Sequence, residues 1–528
     1  MSAAREERTA RGALQVGAGI LGSRIVGLIR QRALAHYLGL SFAADAFNAA
    51  FRIPNFLQNL FGEGVLSASF IPVYARLLAE GDEVEAGRTA GAVLGLLSLV
   101  TAMLVLVGML ATPLLIGVIA PGFVGDKREL TIFLVRILFP GAGLLVLSAW
   151  CLGVLNSHRR FLLSYSAPII WNVAIIVALL FVGGRASPPM LAIAAAAGSV
   201  VGSALQLLVQ VPTVWRLVPK LALSLGRGST HVRAVVSNFL PVFVSRGVVQ
   251  ISAYVDTVIA SFLPGGAVAA LASAQVLYTL PVSLFGMSIS AAELPAMSSA
   301  TGTSTEVADA LRARLGTGLR RIAFLVVPSA VAFALLGDIV AGALFQTGRF
   351  THDDAVYVWG ILAGSAVGLL ASTLGRLYSS AFYALRDTRT PLRYAILRVV
   401  LTTLLGVLFA LPLPKLLGIE ARWGAAGLTA SAGIAGWVEF ALLRRGIGAR
   451  IGRAGIGARF LALLWGAALI AALLAWGLKR TFYATGPIVM AEVTLIPFGI
   501  AYFVLTAIAG VEESRAILAR ASRFLTNV

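Results

Sequence analysis

Three arginines, Arg24, Arg30 and Arg32, interrupt the stretch SRIVGLIRQR (23–32) inside a largely apolar run from Leu14 to Leu40. An arginine at the centre of a bilayer costs about 2.5–3.5 kcal/mol on insertion scales. A guanidinium presents a planar fork of donors to phosphate oxygens and stays ionised when partly desolvated. Arginines lining a wet cavity therefore suit an anion, whereas arginines at helix ends merely snorkel to headgroups. The second reading is favoured for Arg32, Arg136, Arg376 and Arg398. Arg24 and Arg246 each lie about ten residues inside an apolar span and are read as cavity residues. Arg30 stands between the two readings, and Arg52 is a further cation inside a span. The acids in comparable positions are Asp45, Glu63, Asp256, Glu293, Glu439 and Glu492. Asp45 and Glu63 could hold an arginine fork while substrate is absent, carry a coupling cation, or form permanent ion pairs.

Such charges need helices that cross a membrane. Of 528 residues, 59% are hydrophobic and 12% charged, half the charged fraction of soluble domains. Hydropathy predicts an all-α polytopic membrane protein of about fourteen spans. Their limits are near 13–38, 46–75, 90–119, 130–155, 162–183, 189–214, 233–262, 267–297, 320–345, 355–383, 391–411, 424–443, 458–478 and 487–509. The first two are diluted by Arg24, Arg30, Asp45, Arg52 and Glu63. Counted from a cytoplasmic N-terminus, cytoplasmic segments hold about 26 Lys/Arg and external loops about 8. An even number of spans returns the C-terminus to the same side. The net charge of +19 thus follows from the positive-inside rule, and no nucleic-acid module is readable.

A faint internal repeat organises the spans. GSRIVGLIR (22–30) has a counterpart in VSRGVVQIS (244–252), and FGEGVLSASFIP (61–72) in FGMSISAAELP (285–295). An offset of about 222 residues places both copies on the same membrane side, as in two-lobed transporters. The expected organisation is two pseudo-symmetric six-helix lobes, 1–220 and 232–445, then two C-terminal helices (457–510) and a cytoplasmic tail (511–528). Pro54, Pro72, Pro281, Pro295 and Pro328 lie inside spans, where proline permits bending.

Catalytic chemistry has little support. The four histidines (His36, His158, His231, His352) are scattered, and the one cysteine, Cys151, lies in an apolar run. No nucleophile elbow, metal motif or phosphate-binding glycine loop is present in the sequence. The Gly-rich GIGARIGRAGIGAR (446–459) reads as a basic cytoplasmic loop touching anionic lipid.

The stretch SRIVGLIRQRALAHYLGLSFAADAFNAAFRIPNFLQNLFGEGVLSASFIPVYARL (23–77) resembles the signature of the MurJ/MviN family. Its ordered elements are Ser-Arg, Gly, Arg30, Asp-Ala-Phe, Pro-Asn, Gly-Glu-Gly and Phe-hydrophobic-Pro. ISAYVDTVIASFLPGG (251–266) and RDTRTP (386–391) extend the resemblance. It implies the MOP exporter superfamily, alternating access, and a flippase for lipid II, the undecaprenyl-diphosphate-linked peptidoglycan precursor. It also implies that Arg24, Arg30 and Arg52 bind substrate, with Asp45 and Glu63 as gating or ion-pair acids.

The sequence departs from the family in places. Gln58 and Asn59 occupy positions where relatives commonly carry arginines, and Val276 stands for another. Arg246 is the expected replacement charge, with Gln58 and Asn59 as polar substrate contacts. The sodium site of some relatives falls here on Thr402 and Gly406, and Asp256 alone cannot make it. The expected partners are lipid II or a similar polyprenyl-diphosphate glycolipid and membrane lipids, with a monomer in the bacterial inner membrane. No cofactor is expected beyond coupling to the membrane potential or a monovalent cation. A flippase for another polyprenyl-diphosphate oligosaccharide, or a non-transporting scaffold for cell-wall assembly, stays open as an alternative.

Overall fold

The computed structural model describes residues 2–61, 63–184, 186–224, 226, 228–299, 303–482 and 486–516. Two compact units divide the chain: one runs to Ala269 and includes Thr347–Arg349, and the other holds Ala270–Gln346 and the residues from Phe350 onward.

The first unit contains α1 (Ser2–Leu38), α2 (Phe42–Phe61), α3 (Glu63–Ala79), α4 (Glu83–Leu110), α5 (Thr112–Ile119) and α6 (Gly125–Ser157). It continues through α7 (Phe161–Val182), α8 (Pro188–Leu217) and α9 (Thr230–Ser261), and ends within the first turn of α10 (Ala267–Pro281). After α10 comes a π-helical turn, Val282–Met287, directly behind Pro281. A proline withholds one backbone donor, and a widened turn is one way a helix absorbs that loss.

The second unit goes on through α11 (Ser288–Ser298), α12 (Ser304–Leu335), α13 (Gly337–Phe345) and α14 (His352–Ala384). α15 (Arg389–Ala410), α16 (Pro412–Leu416), α17 (Gly424–Ile451), α18 (Ala458–Thr481) and α19 (Pro487–Ile508) complete it. Thr303 opens α12 and Thr351 opens α14 with capping boxes, closed by Glu306 and Asp354 respectively. In each, two donors left over at the helix start are satisfied reciprocally.

Among the described residues, eleven stretches are long and apolar enough to cross a membrane. The predicted spans outside those eleven lie on α1, on α2 with α3, and on α9. The first two are the segments diluted by charge in the sequence. The chain is an all-helical polytopic membrane protein, as its hydropathy predicts. The compact division falls after Ala269 because α9 packs against α3 and α2 within the first unit. The basic glycine-rich stretch 446–459 differs from a simple loop, since α17 runs through it to Ile451 and α18 starts at Ala458. Its turn is pinned by Tyr378 Oη donating to the Ala454 carbonyl (2.9 Å) and by Arg312 donating to the Ile451 carbonyl.

The segment that leaves α8 is registered on α4 by three glycines. Gly87, Gly91 and Gly95 recur every four residues, a rise of about 6.0 Å on a helix. Lys220, Ala222 and Ser224 recur every two, about 6.6–6.8 Å on an extended chain. The two periods match, so each carbonyl meets a glycine. A Cβ would fall 2.6 Å from the Lys220 oxygen at Gly87, 2.1 Å from the Ala222 oxygen at Gly91 and 2.4 Å from the Ser224 oxygen at Gly95. Gly91→Ala should therefore lift the segment off α4, at a cost on the order of 1–3 kcal/mol. Thermal unfolding in detergent and faster proteolysis of residues 219–229 would report it. Gly436→Ala, where a Cβ meets nothing within 4 Å, is the neutral comparison.

Candidate functional site

Arg24 and Arg30 share α1 but not a face. Six residues rotate a helix by about 240° the long way, leaving the two side chains about 120° apart. The side of α1 that packs on α7 is marked by Gly19 against Tyr165, Gly22 against Ile169 and Gly27 opposite Asn172. Arg30 lies on that side and is half-buried. Arg24 is exposed, beside the exposed Ile20 and Leu21 one turn earlier.

The Arg30 guanidinium carbon lies 5.4 Å from the Phe51 ring centre and 5.2 Å from that of Trp171. The two rings stack on each other at 5.5 Å and 12°, and Phe47 extends the stack along α2, 5.3 Å from Phe51. Among the described residues no carboxylate pairs with Arg30, and its Nε is buried without an acceptor. Trp171 is fixed in turn by α8: its indole Nε1–H donates to Ser199 Oγ at 3.0 Å, and Ser203 Oγ donates to the Ser199 carbonyl at 2.8 Å. A Cβ on Gly202 would meet the Trp171 carbonyl oxygen at 2.8 Å, so the missing side chain is what lets α8 close on α7 there. The result is a positive charge held in apolar surroundings by aromatic faces, an arrangement worth about 2 kcal/mol or more when desolvated.

Arg52, on α2 one residue beyond Phe51, is half-buried and lies within electrostatic reach of Asp256 on α9. The Tyr254 hydroxyl donates to the Arg52 carbonyl at 2.6 Å, and Phe56 meets the Tyr254 ring edge-on at 5.5 Å. The structure thus brings Arg30, Arg52 and Asp256 to the packing surfaces of α2 and leaves Arg24 on a different face of α1. Gln58 is half-buried and Asn59 exposed in the last turn of α2. The side chains of Glu63 and Arg246 lie outside the described residues.

Of the roles open to Asp45 from the sequence, the structure shows an ion pair. It is fully buried, and its carboxylate pairs with Lys127 at 2.5 Å rather than with an arginine. It also accepts the backbone N–H of Gly266 at 2.7 Å and of Ala269 at 2.8 Å, so α2 caps the start of α10. With three donors satisfied, Asp45 joins α2, α6 and α10 as scaffold. Asp387 plays a local version of this part before α15. It accepts from the Thr390 hydroxyl and the Thr390 and Arg389 N–H groups, and Arg450 closes on it. Thr390 first, and then Arg450, hold the Asp387 carboxyl well below the usual carboxylate range.

Arg398 differs from the reading as a snorkelling residue. It pairs with Glu439 of α17 at 3.1 Å, because a carboxylate with only 14% of its side chain exposed needs a counter-ion. Sequence reasoning missed Lys127, Phe51, Trp171 and Ser199. Lys127 had one signal, a lysine in a short connection on the side that the charge count leaves poor in Lys/Arg. Trp171 had another, an indole in the middle of a span instead of at its interface.

Asp45→Asn should destabilise the first unit by about 3–5 kcal/mol, since Lys127 then keeps its charge without a partner. Asp45→Asn with Lys127→Met should recover part of that loss, and thermal unfolding of the three proteins in detergent decides it.

Comparison with known proteins places this geometry. The profile of the family described as "Lipid II flippase MurJ" matches residues 34–495. A probable lipid II flippase MurJ of Rhizobium tropici is 33% identical over 432 residues, 81% of this chain and 78% of its own length. The lipid II flippase MurJ of Burkholderia cenocepacia is 32% identical over 448 residues, 83% of this chain and 84% of its own. Among solved structures, a lipid II flippase MurJ in an inward closed conformation superposes with a TM-score of 0.77 at 23% identity, covering 94% of this chain and 98% of that one. An inward-facing multidrug MATE transporter of the MOP superfamily gives 0.65 at 19%, covering 80% and 95%; at these identities the two structures speak for the fold. The profile spans most of the sequence and the curated relatives cover four-fifths of it at about a third identity, and on that footing the chain belongs to the lipid II flippase MurJ family.

Proposed function

We propose that this protein carries lipid II from the inner to the outer leaflet of the bacterial cytoplasmic membrane by alternating access, without a covalent step. The observation that carries the reading is Arg30, a half-buried guanidinium that pairs with no carboxylate among the described residues. A diphosphate supplies the missing counter-charge. Its oxygens match the guanidinium fork, and a charge-assisted hydrogen bond there is worth about 1.5–3 kcal/mol. Arg52 serves as a second, weaker contact because Asp256 already offsets its charge, and Gln58 and Asn59 offer polar contacts near the end of α2. Arg24, on the exposed face of α1, meets the headgroup at a different stage of transport from Arg30, and Arg246 supplies a further positive charge.

The protein works as a monomer with both termini in the cytoplasm and needs no cofactor. The membrane potential or a monovalent cation gradient drives the cycle. Inward- and outward-facing forms are both known for MATE transporters that share the fold, which supports alternating access. A second reading, transport of a related polyprenyl-diphosphate oligosaccharide, is favoured by Gln58, Asn59 and Val276 in place of the arginines implied by the family signature.

The test is complementation of cells depleted of their own lipid II flippase, scored by lipid II exposed at the cell surface. The protein should restore exposure, and Arg30→Ala should lower it about tenfold or more at equal expression. Full exposure with Arg30→Ala would remove the headgroup role. Failure of the unaltered protein at normal expression would favour the second reading.

A further inference from the structure

We propose that Trp171, oriented by Ser199 and stacked on Phe51, is a positioning residue that sets where Arg30 presents its charge to the substrate headgroup. The proposal rests on the reading of Arg30 as a headgroup contact. Long side chains on a transmembrane helix find many rotamers, and an arginine whose charge lacks a fixed partner would swing toward the nearest headgroup or water. Here three separate observations limit it. The guanidinium lies at nearly equal distances, 5.4 and 5.2 Å, from two rings that are themselves parallel. The indole cannot rotate freely because its N–H is bound to Ser199 on a third helix. The backbone behind it is clamped by Gly202, where α8 approaches too closely to admit a side chain. α1, α2, α7 and α8 therefore converge on one cation.

Aromatic faces stabilise a cation without acting as strong acceptors. The Arg30 donors thus stay available to oxygens of a phosphate, while the rings confine the guanidinium. A purely structural tryptophan at this place would affect folding and leave ligand affinity untouched in the folded fraction. A positioning tryptophan changes affinity, and only while Arg30 is present.

The experiment uses the full-length protein in detergent or proteoliposomes and measures lipid II binding and transport for wild type, Trp171→Phe, Trp171→Leu, Arg30→Gln and the Arg30→Gln/Trp171→Leu double variant. Trp171→Leu should weaken lipid II binding roughly three- to thirtyfold, because the guanidinium then has to be ordered when the headgroup binds instead of beforehand. Trp171→Phe keeps a ring and should restore binding to within about threefold. In the Arg30→Gln background Trp171→Leu should have no further effect. Should Trp171→Leu fold poorly, Phe51→Leu takes its place in the cycle, and a second readout uses the protein labelled with 5-fluorotryptophan. Its Trp171 fluorine resonance, identified by its loss in Trp171→Phe, should shift in Arg30→Gln and on addition of lipid II. Wild-type affinity in both Trp171→Leu and Phe51→Leu, with Arg30→Gln impaired, overturns the positioning role and leaves the headgroup role of Arg30 standing. An equal loss from Trp171→Leu with and without Arg30 overturns it as well, marking the ring as structural. Unimpaired binding by Arg30→Gln overturns both readings together.

Discussion

The first unit is organised around a half-buried guanidinium that pairs with no carboxylate among the described residues. Low-dielectric surroundings penalise a bare charge far more than they penalise a neutral polar group, so the surrounding helices must compensate it in some other way. Phe51 and Trp171 do so through the negative faces of their rings. That compensation is short-ranged, and it fails if either ring moves by an ångström or two. The close approach of α7 and α8 at Gly202, the Ser199 hydrogen bond and the stacking of Phe47 on Phe51 are all requirements of keeping those rings in place. A local electrostatic need thereby accounts for features on four helices.

Four acids among the described residues are arranged in the opposite way. Asp45 receives a lysine and two backbone N–H groups. Glu439 receives Arg398, Asp338 receives Lys479 at 2.5 Å, and Glu513 receives Arg320 through two donors. Each of these acids is closed, in the sense that a ligand would have to displace a partner before reaching it. Arg30 is open. The contrast separates charges that build the scaffold from one whose donors stay open, and residue type alone would not make the separation.

That limit is visible in how the sequence could be read. Long apolar runs made the helices legible, because hydropathy over about twenty residues depends on composition and hardly on neighbours. The ordered motif from Ser23 to Leu77 made the family legible. The partners of individual charges were not, since Lys127 lies 82 positions from Asp45 and Trp171 lies on a helix well beyond both. Helical periodicity alone places Arg24 and Arg30 on different faces. Which of those faces packs on α7 depends on the glycines at 19, 22 and 27 finding Tyr165, Ile169 and Asn172. A repeat in sequence marks where a duplicated segment begins, whereas the packing of α9 on α3 decides which residues cohere in the first unit, and that packing is not legible in the sequence.

A transporter must release what it binds, and the manner in which Arg30 is compensated bears on that requirement. A carboxylate partner would occupy the donor fork and compete with phosphate, so binding would have to break an ion pair and release would re-form it. Two aromatic rings beside the guanidinium take none of its in-plane donors, and their contribution persists when an anion is present. On the proposed reading they fix where the fork stands without competing for it, so a diphosphate meets one preset set of donors, and no ion pair has to break on capture or re-form on release.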